Sequence, residues 1–71
     1  MLKWEIYAKR HNGDLRLIKT MLEENGYSYD NALTYSEACA ENMNGITDIW
    51  IFCVRVADNK VVCKDHYFKV A

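Results

Sequence analysis

Seventy-one residues, of which 51% are apolar and 27% charged, make one foldable domain and exclude a disordered chain. No proline, three glycines and a formal charge of −1 exclude collagenous sequence and a uniformly basic nucleic-acid module. A chain this short buries only about 60% of the surface it exposes when unfolded, so its five Tyr, two Trp and two Phe must supply much of the burial.

In chain order, residues 2–9 alternate, with Leu2, Trp4, Ile6 and Ala8 on one parity and Lys3, Glu5, Tyr7 and Lys9 on the other. A period of two with one polar face predicts a half-buried strand. Residues 10–14 predict a turn, because Asn12-Gly13 readily supplies positive φ. Residues 15–25 carry two patterns. As a helix they align Leu15, Ile18 and Leu22 in one stripe beside Met21, with Asp14 capping the start and Gly26 the end. As a hairpin arm they would run from Asp14 to Thr20, but Leu17-Ile18 breaks the alternation and about 13 residues would be left without structure. Helix is the expectation and strand its alternative.

A second helix is marked by Thr34-Tyr35-Ser36-Glu37. In this capping-box pattern the Thr34 hydroxyl accepts from the Glu37 amide and the Glu37 carboxylate accepts from the Thr34 amide. Tyr35, Ala38, Cys39 and Met43 follow at helical spacing, and Gly45 closes the element. A longer version starts from Ser28 or Asp30. Residues 48–56 are apolar on both parities, as in a central strand. A turn at residues 57–60 leads into a partner strand, residues 61–70, where Lys60, Lys64 and Lys69 fit an edge. These elements predict an α+β fold in one compact domain, residues 1–71. It is a small single-layer antiparallel sheet, including the C-terminal β-hairpin, packed against two helices. The expected core is Trp4, Ile6, Leu15, Ile18, Leu22, Tyr35, Ala38, Cys39, Ile49, Ile51, Phe52, Val54, Val61 and Phe68.

The near-neutral total conceals blocks of charge. Residues 1–19 hold Lys3, Lys9, Arg10, Arg16 and Lys19 against Glu5 and Asp14, a net +3. Residues 20–48 hold Glu23, Glu24, Asp30, Glu37, Glu41 and Asp48 with no Lys or Arg, a net −6, and the remainder is +2.

Reactive residue types are present without the spacing that chemistry needs. Cys39, Cys53 and Cys63 form no C-x₂₋₄-C pair, which argues against zinc. In the hairpin, a two-residue turn sets Val54 opposite Cys63 and a three-residue turn sets Arg55 there. Neither opposes Cys53 to Cys63, so buried thiols are expected. Cys63 and His66, three apart on a strand, point to opposite faces and make a poor metal pair. Glu37 and Glu41 share a helix face, but Glu37 already serves the capping box. Trp50 and Phe52 share a parity with Val54 and Val56 and are assigned to the core.

No catalytic centre, cofactor or metal site emerges, so a non-enzymatic binding or regulatory protein is expected. Glu23, Glu24, Asp30, Glu37, Glu41 and Asp48 would dock a protein partner with a basic surface, steered by complementary charge. A homodimer is compatible with the small core. The alternative is a weak single-stranded nucleic-acid binder using Lys3, Tyr7, Lys9, Arg10, Tyr67 and Lys69. The first residues lack a basic stretch followed by an apolar one, the longest apolar run is Ile49 to Val54, and the cysteine count is odd. Cytoplasmic residence without membrane insertion is therefore expected.

Overall fold

The computed structural model describes residues 1–11 and 13–69, with side chains described up to residue 62. Two β-hairpins lie side by side. Strand β1 (Leu2–Arg10) pairs with β2 (Leu15–Leu22), and β3 (Ile46–Arg55) pairs with β4 (Lys60–Lys69). Because β1 also pairs with β3, the sheet is antiparallel throughout, in the order β2-β1-β3-β4. A 3-10 turn (Glu23–Asn25) and helix α1 (Tyr29–Asn42) join the hairpins, and α1 lies across β3 and β1. The fold is α+β, with one curled four-stranded sheet and a single helix.

The expected helix over residues 15–25 is therefore corrected to a strand, and its broken alternation has a local cause. Pairing passes from Ile6↔Lys19 to Tyr7↔Leu17, which leaves Ile18 as the extra residue of a β-bulge. Leu15 and Leu17 then share a face with Thr20 and Leu22 despite the change of parity. Gly13, at φ 89°, supplies the turn, tied by hydrogen bonds from Gly13 N–H to the Arg10 carbonyl and from Arg10 N–H to the Asp14 carbonyl. Asn12 lies outside the described residues. The 3-10 turn and an early helix start take up the segment that seemed to lack structure. Glu23, in the 3-10 turn, accepts from the Leu2 N–H at 3.0 Å.

Helix α1 begins at Tyr29 and not after Thr34. Ser28 is its N-cap: Ser28 Oγ accepts from the Asn31 N–H at 3.4 Å, and Asn31 Oδ1 accepts from the Ser28 N–H at 2.9 Å. This is a capping box with Asn in the place of the acid. Thr34 and Glu37 lie inside the helix on its exposed side, so Glu37 caps nothing. Ala32, Ser36 and Cys39 form the buried stripe, and these small side chains let the helix sit close to the sheet. Ser36 is fully buried, and its hydroxyl donates to the Ala32 carbonyl at 2.8 Å.

Beneath that stripe, Trp4, Ile6 and Ala8 of β1 meet Ile49, Ile51 and Cys53 of β3, with Met21 and Ile46 completing the cluster. Five expected core residues are corrected, among them Leu22, which is half-buried opposite Lys3 and outside the core cluster. Leu15 and Val61 are more than half exposed, Ala38 is exposed, and Phe52 is half-buried outside the core cluster. Val54 is buried, yet it too lies outside that cluster. Phe68 falls beyond the described side chains. The pairs Trp4↔Cys53 and Ile6↔Ile51 select the odd residues of β3 for the helix side, a choice its two apolar parities left open.

The β3–β4 register is also corrected. Asp48↔Lys69 through Ile51↔His66 follow the two-residue-turn alignment, but two shifts toward the turn leave Asp65 and Val62 unpaired. Cys53 and Cys63 are consequently direct partners, and Cys63 and His66 take register positions opposite Cys53 and Ile51. Both of those positions lie along one side of β3. Among the described residues no helix is long and apolar enough to cross a membrane.

The helix–sheet contact makes a contrast at two alanines of α1. Ala32→Leu, at a position with no exposure, is expected to cost about 1–3 kcal/mol by overpacking. Ala38→Leu, on the exposed side, should stay within about 0.5 kcal/mol of the parent. Urea denaturation of the two variants checks both values.

Candidate functional site

Helix and sheet divide the chemistry between two opposite faces. On α1, Asp30, Glu37 and Glu41 recur at i, i+7 and i+11, all exposed, on the side away from Ala32, Ser36 and Cys39. At 1.5 Å per residue they form a stripe about 17 Å long. Glu24, exposed on the 3-10 turn, extends the acidic surface, while Glu23 is held to the β1 N-terminus. Glu24, Asp30, Glu37 and Glu41 make no ion pair among the described residues. The ion pairs lie elsewhere: Lys3–Glu5 at 3.4 Å, Asp14–Arg16 at 3.9 Å and Arg55–Asp58 at 2.8 Å. Glu37 and Glu41, one turn apart, repel mildly. Asp48 does not join this group. It lies half-buried on β3, opposite Lys9, on the face of the sheet that α1 leaves open.

That open face carries the aromatic residues. Register sets Leu17, Tyr7 and Trp50 in one row across β2, β1 and β3, and puts Tyr67 at the matching position of β4. The neighbouring row is Thr20, Glu5, Phe52 and the Lys64 position. The Tyr7 and Phe52 rings meet edge to face, with centroids 5.4 Å apart and planes at 79°. Tyr7, Trp50 and Phe52 are half-buried and stand apart from the core cluster. The assignment of Trp50 and Phe52 to the core is thus corrected. Asp48 was the available signal, because it shares their parity and marks the wet side of β3.

The proposed nucleic-acid residues scatter. Lys3 and Lys9 are half-buried on the open face, where Glu5 and Asp48 balance them in charge. Arg10 is exposed at the end of β1, beside Ile46. Lys69 and Tyr67 take positions opposite Asp48 and Trp50, and their side chains lie outside the described residues. Tyr7 Oη donates to Glu5 Oε1 at 3.3 Å. Burial first, then the Glu5 charge and this hydrogen bond, raise the Tyr7 pKa above the ordinary tyrosine value. On the helix side, burial and then a hydrogen bond with Cys39 raise Tyr35, whose ring receives Lys19 Nζ at 5.7 Å from its centroid.

Among the described residues no three His, Cys, Asp or Glu side chains converge to hold a metal ion. With the geometry in view, comparison with family models, curated proteins and solved structures finds no match to this chain.

The raised tyrosines set an alkaline limit. A proton held more tightly in the folded state contributes stability that is intact below the unfolded value near 10 and is lost as pH rises through the folded one. The urea midpoint should therefore fall above pH of about 10. Tyr7→Phe should remove its own share of that fall while Tyr35 keeps the rest. Urea midpoints from neutral to alkaline pH, parent against variant, check this.

Proposed function

We propose that this chain is a non-enzymatic binding protein that docks a basic protein segment along the outer stripe of α1. One observation carries the reading: Asp30, Glu37 and Glu41 stand in line on a well-anchored helix, exposed and without basic partners among the described residues. Glu37 is released from any capping duty by the Ser28–Asn31 box, so its carboxylate is open to a partner. Complementary potentials of this kind raise association rates and select partners. The partner that fits is a segment with Lys or Arg every three to four residues, matching the helical repeat of the stripe. Asp48 has no part in this surface. Cytoplasmic residence goes with the proposal, on the odd cysteine count.

The accessible surface, 4543 Å², is close to the roughly 4,600 Å² expected of a compact monomer of this mass, so exposed area alone does not call for a second copy. A basic amphipathic peptide with Lys or Arg at that spacing is the probe. The Glu37→Lys/Glu41→Lys variant should bind it about tenfold more weakly, about 1.4 kcal/mol, while its circular dichroism stays that of the parent. Equal binding by parent and variant across a salt series would defeat the proposal.

A second reading is favoured by the Tyr7, Phe52 and Trp50 group on the open sheet face, which offers rings for stacking bases of a single strand. Its weakness is charge, because Glu5 and Asp48 offset Lys3 and Lys9 there. In this case a labelled oligonucleotide binds at low salt and is released steeply as salt rises. Trp50→Ala should then weaken binding by about 1–3 kcal/mol. The helix variant, with its added positive charge, would bind it no less tightly.

A further inference from the structure

The register of the C-terminal hairpin brings together two residues that its sequence pattern keeps apart. With a plain two-residue turn, Cys63 would stand opposite Val54. The shifts at Ile51/Phe52 and at Cys53/Val54 instead make Cys53 and Cys63 direct partners. Opposed residues of an antiparallel pair have Cα atoms about 4.5–5.5 Å apart. Disulfide-bonded cysteines span about 4.4–6.8 Å. The third cysteine, Cys39, lies on α1, buried, where its hydrogen-bonded neighbour is Tyr35. Of the three, only Cys53 and Cys63 are set in register by the sheet.

We propose that Cys53 and Cys63 form a reversible cross-strand disulfide that responds to thiol redox state, with a low-molecular-weight disulfide such as oxidised glutathione as the oxidant. The reaction is written from Cys63, because Cys53 is buried. The Cys63 thiolate attacks one sulfur of the oxidised glutathione, forming a mixed disulfide and releasing one glutathione thiolate. The Cys53 thiolate then attacks the Cys63 sulfur, closing the protein disulfide and releasing the second glutathione. Two thiol protons are given up, and the two electrons leave with the two reduced glutathiones.

The bond would pin an edge strand that the sheet holds from one side only. β4 pairs with β3 alone, and α1 lies over β3 and β1. A ring of about eleven residues closed by the disulfide lowers the equilibrium population of opened β4 by up to about 100-fold through lost loop entropy. The modification would therefore switch the edge between a strand free to open and one locked in register.

The test uses the whole chain, equilibrated in glutathione buffers from reducing to oxidising, quenched with acid, alkylated and read by intact mass and peptide mapping. In oxidising buffer one alkylatable thiol should remain, at Cys39, together with a linked peptide joining Cys53 to Cys63. Dithiothreitol should restore all three thiols. Amide exchange in residues 60–69 should slow on oxidation. Cys39→Ser should oxidise as the parent does, and Cys63→Ser should abolish the change with its circular dichroism unaltered. Three alkylatable thiols at every redox poise, or a linkage through Cys39 in the folded protein, would overturn the proposal.

Discussion

One helix has to cover a four-stranded sheet, and most of the molecule follows from that shortage. Fourteen helical residues reach about 21 Å, and a helix with its side chains is about 10–12 Å wide. Four strands at about 4.8 Å spacing place the outer two about 14 Å apart. The helix therefore shields the two central strands and leaves the edges to water. Ile6, Ile49 and Ile51 lose all exposure under it, while on the uncovered face Leu15 and Leu17 of β2 and Val61 of β4 stay near half exposed. The small stripe of Ala32, Ser36 and Cys39 draws α1 onto β1 and β3, the strands that hold most of the buried core residues. The uncovered face of the sheet is left to its own side chains. There Val54 is buried and the rings of Tyr7 and Phe52 pack on each other, apart from the core beneath the helix.

What was legible in the sequence depended on whether alternation ran unbroken. β1 alternates cleanly from Leu2 to Lys9, and both its place and its two faces follow from residue type alone. β2 has the same character but contains the extra Ile18, and one added residue inverts parity beyond it. Leu15, Ile18 and Leu22 then imitate the spacing of a helix. Register shifts are set by pairing between strands, so a single strand's pattern cannot announce them. The helix start was hidden for another reason. Thr34 to Glu37 and Ser28 to Asn31 both have capping chemistry, and the second prevails because a start at Tyr29 buries Ala32 and lets Tyr29 and Leu33 pack against the sheet.

The candidate site was legible in composition and illegible in direction. A segment with six acids and no base was plain, and the helical repeat then set Asp30, Glu37 and Glu41 in line. Asp48 belonged to the same run of sequence but crosses to the open face once β3 begins, because strand residues alternate sides. Trp50 and Phe52 followed it there. An apolar residue on a strand says only that one face is dry. The charged residue two positions before Trp50 decided which.

The bulges connect these surfaces to the behaviour of the edges. Exposed strand edges that carry apolar residues invite pairing with another chain, and twisting the edge with an extra residue is one remedy. Both hairpins of this sheet contain such shifts, and charged residues accompany them: Arg16 and Lys19 on β2, and Lys60 with the Lys64 and Lys69 positions on β4. In β2 the extra residue redirects Leu17 toward Tyr7. In β4 the same device, used twice, interrupts the ladder at Asp65 and Val62 and leaves between them a short block in which Phe52 faces Lys64 and Cys53 faces Cys63. A hairpin without shifts would offer a longer regular edge and keep its cysteines out of register. The irregularity that makes the edge a poor template for another strand is therefore also what brings two thiol-bearing positions opposite each other. In this sheet, edge protection and a redox-sensitive contact arise from the same displaced residues.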